Sequence, residues 1–105
     1  MERLKSLSAF FPAYNEEANV ERMVNGFRAI LPQVAEDYEI IVVDDGSVDG
    51  TRDILDPLRQ ERDIKVIFHE KNQGKGAAIR TGLQFAAGDV IVIQDADLEY
   101  DPGTI

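Results

Sequence analysis

Cysteine is absent from the sequence and histidine occurs once. Without cysteine no disulfide framework or thiolate metal site can form, and the redox compartment is left open. No apolar run approaches the roughly 18–20 residues that span a bilayer. The start, Met1-Glu2-Arg3-Leu4-Lys5, is too short and too polar for a signal peptide, so a cytoplasmic location is the default expectation. Basic residues are also scarce. Lys plus Arg number 11 against 20 Asp plus Glu, a formal charge of −9, which argues against non-specific nucleic-acid binding, since that needs a basic surface. Two phosphate-binding signatures are missing as well. There is no G-x-x-x-x-G-K-S/T, and no G-x-G-x-x-G follows the first strand, which argues against a dinucleotide cofactor.

What is present suits one small globular domain with a modest core: 105 residues, 44% hydrophobic and 30% charged. Leu7 to Phe11 reads as a first strand closed by Pro12. Asn15 reads as a helix N-cap with Glu16 and Glu17 in the first turn, where acids favour the helix dipole. Val20, Met23, Val24, Phe27, Ile30 and Leu31 recur at helical spacing up to Pro32. Tyr38 to Val43 is a second strand. A short helix follows near Thr51–Leu55, and Pro57 kinks it, ends it or starts a new turn. Ile64 to Phe68 is a third strand, Asn72 to Gly76 a glycine-rich loop, and Ala77 to Ala87 a third helix with Ile79, Leu83 and Ala86 on one face. Val90 to Ile93, four β-branched residues in a row, reads as a strand buried on both faces. Asp101-Pro102 looks like the start of another helix, which suggests the N-terminal portion of a longer protein. The order βαβαβαβ implies a parallel sheet with helices on both faces, in the strand order 3-2-1-4.

Three of the four strand exits carry unusual residues: Pro12-Ala13-Tyr14-Asn15-Glu16, Asp44-Asp45-Gly46-Ser47 and Asp95-Ala96-Asp97. Singly, each has a plain structural reading as a helix cap, a polar turn or a strand end. Exits of a parallel sheet share one edge, however, so one crevice would gather five carboxylates, and a cation is the usual remedy for such crowding. Asp95 and Asp97 suit a hard divalent ion held together with a diphosphate. Tyr14 offers a ring to stack on a base or to cover the sheet edge. Asp44 or Asp45 could accept a hydrogen bond from a base N–H or a ribose hydroxyl. Lys75, at the mouth of a helix, and Arg80 are the basic groups best placed to meet a phosphate or base, although Arg80 also fits a solvated helix face. His69 has no evident partner and reads as a surface residue.

Four stretches together, Pro12–Glu17, Val42–Ser47 with Asp49-Gly50-Thr51, Asn72–Gly76 and Gln94–Pro102, resemble family 2 glycosyltransferases of the GT-A fold. Among these the sequence is most similar to the dolichol-phosphate mannose synthase-like branch, which moves a hexose from a nucleotide-sugar to a polyprenyl phosphate. The resemblance covers nearly the whole chain in the family's order and spacing. It implies a Rossmann-like three-layer α/β sandwich forming the N-terminal part of a GT-A domain over residues 1–105. It further implies an inverting, Mg²⁺- or Mn²⁺-dependent hexosyltransferase. By position, Pro12, Tyr14 and Glu16 match nucleoside contacts, and Val43 with Asp44 or Asp45 matches the wall and acceptor around the base. Asp95 and Asp97 match the metal pair, Ala96 lies against ribose or phosphate, and Lys75 and Arg80 fall in a segment that approaches the nucleotide. The implied donor is a UDP- or GDP-hexose and the acceptor a polyprenyl phosphate or glycan. Membrane contact is implied only through that acceptor or through segments beyond this chain. The acceptor half, with the catalytic base, has no counterpart here, so the fragment alone is expected to be inactive and to self-associate through the sheet edge at Val90–Ile93.

Two rivals share the general architecture. A nucleotidyltransferase would carry a Gly- and Lys/Arg-rich loop after the first strand, where this chain has Pro12–Glu16. A non-enzymatic receiver-like signalling domain would place its acid pair after strand one and an Asp after strand three, where this chain has His69.

Overall fold

β-branched and aromatic runs alternate with helical periods along the whole chain, and the elements follow that alternation. The computed structural model describes residues 3–94. In order these form β1 (Leu4–Ala13), α1 (Val20–Val34), β2 (Ala35–Asp44), α2 (Thr51–Leu55), a 3₁₀ turn (Asp56–Gln60), β3 (Ile64–Phe68), α3 (Lys75–Phe85) and β4 (Val90–Ile93). The sheet has the order β3-β2-β1-β4 and all three pairings are parallel. Period-2 alternation sorts the side chains into two cores. Leu7, Ala9, Phe11, Ala13, Ile40 and Val42 pack with Val20, Val24, Leu31 and Leu55 from α1 and α2. Phe10, Ile41 and Val43 pack with Ala78 from α3 on the opposite face. The result is the expected three-layer sandwich with β1 and β2 central. α3 lies close to β1 because Gly82 has no side chain: a Cβ there would come within 2.5 Å of the Phe10 ring.

Pro12 and Pro32 each sit inside an element that they were expected to end. β1 runs through Pro12 to Ala13. The Phe10 carbonyl points to β4 and accepts from the Gln94 N–H at 2.8 Å. Pro12, two residues on, faces the same way, so its missing N–H takes nothing from the β1–β2 ladder. α1 continues through Pro32 to Val34. The lost donor falls in the last turn, where Ala35 N–H still bonds to the Leu31 carbonyl and Arg3 Nη1 donates to the Pro32 carbonyl at 2.9 Å. Asn15 is not the cap of α1. The cap position is Asn19, and Glu21 rather than Glu16 or Glu17 occupies the first turn. Pro57 is the second residue of the 3₁₀ turn, still in its first turn, where a missing N–H costs no bond. The third helix starts two residues earlier than expected, at Lys75, and ends at Phe85. Asp101-Pro102 lies outside the described residues.

The reading of β4 as a strand buried on both faces is also overturned. Val90, Ile91, Val92 and Ile93 are each 38–46% exposed. β4 pairs only with β1 among the described residues, and the helices cover the sheet's middle rather than this edge. Toward α1 it borders an apolar groove lined by Met23, Phe27, Ile30 and Val92. A continuous β-branched run thus marks a strand built to be covered, and the described residues leave it open.

The turn into β4 is held by a polar latch. Ser8 Oγ donates to Glu39 Oε2 and accepts from Gly88 N–H, while Glu39 Oε2 also accepts from Ala87 N–H. Lys65 Nζ lies 2.7 Å from Glu39 Oε1 and donates to the Phe85 carbonyl, and Ser6 Oγ accepts from Asp89 N–H. Burial works to raise the Glu39 pKa, but the donors from Lys65, Ser8 and Ala87 outweigh it and hold the carboxyl below its ordinary value of 4.5. Because the folded value is the lower one, this stabilisation is complete above 4.5 and is lost as pH falls through the folded value. The urea midpoint of the wild type should therefore fall more steeply than that of Glu39→Gln between about pH 5 and pH 3. Parallel curves would disconnect the latch from acid sensitivity.

Candidate functional site at the carboxyl edge of the sheet

The turns after β1, β2 and β3 meet at one edge because their strands run parallel. Two adjacent carboxylates at the exit of β2 organise them. Asp44 and Asp45 are 0% and 3% exposed, and strand alternation sends them to opposite faces. Asp44 turns toward α2. Its Oδ2 accepts from Ser47 N–H at 3.2 Å and from Arg52 Nε at 2.9 Å. The Arg52 guanidinium also donates to the His69 carbonyl and lies 5.1 Å from the centre of the Phe68 ring. Asp44 Oδ1 is a buried side-chain oxygen with no hydrogen-bond partner among the described residues.

Asp45 turns toward α3. Its Oδ1 accepts from His69 Nδ1 at 2.8 Å and from Gln73 N–H at 2.9 Å, and its Oδ2 accepts from Gly74 N–H at 2.9 Å. A carboxylate offers about four lone-pair positions, so one on Oδ2 is left. Gly46 turns the chain between these groups with φ +76°, and a Cβ there would lie 2.4 Å from the Asn72 nitrogen. That close approach lets the 71–74 loop rest on the exit of β2. His69 is therefore not a surface residue. It is 9% exposed, and its Nε2 lies 2.9 Å from Thr81 Oγ1 on α3.

The β1 exit is stitched to the β2 exit by side chains. Asn15, at φ 53°, donates its N–H to Ser47 Oγ at 2.8 Å and accepts from Val48 N–H at 2.9 Å. Glu16 N–H donates to Thr51 Oγ1 at 2.8 Å and Glu17 N–H to Asp49 Oδ2 at 3.3 Å. Burial works to raise the Asp49 pKa, but donors from Thr51 and Glu17 outweigh it and leave it below the ordinary value. These bonds explain why Asn15 is no helix cap: it carries a left-handed turn that only Gly and Asn adopt readily.

Of the residues expected at a site, the structure brings Pro12, Tyr14, Glu16, Val43, Asp44 and Asp45 to this edge. Pro12 and Val43 are buried and paired across the ladder, and Tyr14 is 46% exposed. Lys75 opens α3 directly after the loop that Asp45 holds. Arg80 is exposed one turn in, and its Nη1 lies 3.5 Å from where a Cβ on Gly76 would be. Asp95, Ala96 and Asp97 lie outside the described residues. Gln94, pinned to Phe10, delivers the chain to this same edge, and an all-oxygen pair suits Mg²⁺ or Mn²⁺. Among the described residues no cluster of three metal-ligating side chains occurs, and no helix is long and apolar enough to cross a membrane. Sequence reasoning missed Arg52, His69 and Thr81. His69 had one available signal, its place directly after the last residue of β3.

Gly46→Ala should lower stability by at least about 2 kcal/mol, from the strained φ and the backbone contact together. Gly76→Ala should be neutral or slightly stabilising, since Ala is the better helix former and the one contact is a flexible guanidinium. Denaturant titration of the two variants checks this, and equal midpoints would refute it.

A model of glycosyl transferase family 2 matches residues 8–105. The undecaprenyl-phosphate 4-deoxy-4-formamido-L-arabinose transferase of Aeromonas hydrophila is 34% identical over 104 residues, covering 97% of this chain and 32% of that protein. The dolichol-phosphate mannosyltransferase of Pyrococcus furiosus is 37% identical over 99 residues, covering 94% and 28%. Among solved structures, the mannosyltransferase PcManGT from Pyrobaculum calidifontis in complex with GDP-Man and Mn²⁺ aligns with TM-score 0.77 at 28% identity, covering 92% of this chain and 28% of that one. TarS of S. aureus in complex with UDP aligns with TM-score 0.75 at 30% identity, covering 88% and 27%. The chain spans about a third of the length of the curated relatives it matches.

Proposed function

The chain belongs to glycosyl transferase family 2, and from that premise we propose that it forms the nucleotide-sugar side of an inverting, metal-dependent hexosyltransferase whose acceptor is a polyprenyl phosphate. The observation that carries this reading is the convergence at one sheet edge of the Pro12–Glu16 turn, the Asp44–Asp45 pair and the loop that opens α3. Such an edge is where open α/β sheets take ligands.

Each group then has a task. Tyr14 stacks on the base, Pro12 and Val43 wall it, and Glu16 bounds the nucleoside. Between the two carboxylates, Asp45 is the better acceptor for a base N–H or a ribose hydroxyl. It keeps a lone pair on Oδ2, while Asp44 is fully enclosed and paired with Arg52. Lys75 and Arg80 meet the diphosphate beside the positive end of α3. Ala96 would meet the ribose or phosphate. Asp95 and Asp97 would hold Mg²⁺ or Mn²⁺, which supplies charge neutralisation at the leaving diphosphate. PcManGT with GDP-Man and Mn²⁺ and TarS with UDP support a nucleoside diphosphate donor and a divalent ion. The two polyprenyl-phosphate transferases support the acceptor class. The reaction would take place on the cytoplasmic side, with the membrane reached through the acceptor. No residue here is assigned the base that activates the acceptor.

Calorimetric titration of UDP-, GDP- and dTDP-hexoses with and without Mn²⁺ tests the reading. One base class should bind more tightly with Mn²⁺, and Asp97→Ala should lose that gain. Absence of binding, or an Mn²⁺ effect unchanged in Asp97→Ala, would overturn it. The 105-residue chain should bind donor without transferring radiolabelled sugar to polyprenyl phosphate. Full transfer would show that this chain carries the activating base itself.

A further inference from the structure

His69 and Thr81 belong to none of the tasks above, yet they are joined to the site's central carboxylate. The His69 ring lies between Asp45 and α3, 9% exposed, with its two nitrogens 2.8 Å from Asp45 Oδ1 and 2.9 Å from Thr81 Oγ1. A carboxylate only accepts, so Nδ1 carries the proton. With the ring neutral, Nε2 is then the acceptor and the Thr81 hydroxyl the donor. So enclosed, the ring is not placed to touch a substrate.

We propose that His69 and Thr81 are positioning residues of the donor site, a line of hydrogen bonds that fixes the Asp45 carboxylate relative to α3. The proposal rests on the donor-site reading above and extends it to residues with no ligand contact. Rotation of a carboxylate about its last torsion is soft, with broad and roughly two-fold wells. Asp45 spends two of its bonds on the N–H groups of Gln73 and Gly74, which set where the 72–74 backbone lies. The third bond, to His69, fixes the plane of the carboxylate. Through Thr81 that plane is referred to the second turn of α3, the helix whose first residue is Lys75 and on which Arg80 lies. Acceptor and cations therefore approach a nucleotide with one shared geometry. A side-chain change at Thr81 would reach the ligand only through this line, and small misplacements are costly in a site that works by orientation.

Thr81→Val keeps the side-chain shape and removes the donor, and Thr81→Ser restores it. Two measurements on the 105-residue chain test the line. Calorimetry with UDP and GDP plus Mn²⁺ should show Thr81→Val weakened about fivefold, the worth of one net hydrogen bond, and Thr81→Ser within about twofold of wild type. In the free protein, amide resonances of Gln73 and Gly74 should move in Thr81→Val and return in Thr81→Ser. Thr81→Val should also melt lower than Thr81→Ser, since it leaves the buried His69 Nε2 unpaired, and the amide shifts separate positioning from that loss of stability. The positioning role is overturned if Thr81→Val binds as wild type does, if both variants weaken equally, or if the Gln73 and Gly74 amides stay in place. If the wild type binds neither nucleotide, the donor reading fails instead, and the amide shifts still decide whether the line sets the loop.

Discussion

Two buried carboxylates side by side at the exit of β2 are the constraint on which the site depends. Neither can sit in a protein interior without donors, because an unpaired buried charge costs several kcal/mol. Being neighbours on a strand, Asp44 and Asp45 face opposite ways and must find donors in different layers. Asp44 draws in Arg52 from α2 and the turn at Ser47, and Asp45 draws in His69, Gln73 and Gly74 from the α3 side. The pair thereby ties both helical layers to one point of the sheet. A turn that only had to reverse the chain would need neither acid.

This also divides the labour between two residues that look equivalent in sequence. Asp44 keeps an oxygen without a partner but is wholly enclosed, with its other oxygen held by a guanidinium. Its charge is matched within the protein. Asp45 takes only N–H donors from the backbone and an imidazole, which leaves its charge less fully compensated. A carboxylate with one lone pair left, at a sheet edge next to a helix opened by lysine, can serve both as acceptor and as organiser. The two roles favour each other, since the donors that hold the loop also fix the direction of the remaining lone pair.

Much of this was legible in the sequence, and what was not has identifiable causes. Strands β3 and β4, helix α2 and the sheet order follow from periodicity and from the rule of right-handed crossovers. Pro12 and Pro32 misled because a proline stops an element only where its N–H is needed, and both stand where little or nothing is lost. Asn15 misled because a polar residue before acids reads as a helix cap, while its side chain serves the β2 turn 33 residues away. His69 and Thr81 are 12 residues apart, and nothing in local pattern pairs them. Long-range polar contacts carry no period. The acidic exits were recognisable as a set, but which acid faces which layer emerges only from counting alternation along β2.

The exposed strand β4 connects stability to the site in a way that composition hides. Its four apolar side chains stay 38–46% exposed among the described residues, so apolar packing is not all that fixes its place. The ladder to β1 and the latch of Ser6, Ser8, Glu39 and Lys65 at its start do so as well. Most of that latch is polar and charged, and it depends on an ionised Glu39. The strand, which leads into Gln94, is thus located by hydrogen bonds at both of its ends. A parallel strand normally rests on covered apolar faces. Here the position of β4 relative to β1 rests on Glu39 at one end and on the Gln94–Phe10 bond at the other. Loss of either would loosen β4 while leaving the central strands β1 and β2, with their buried cores, in place.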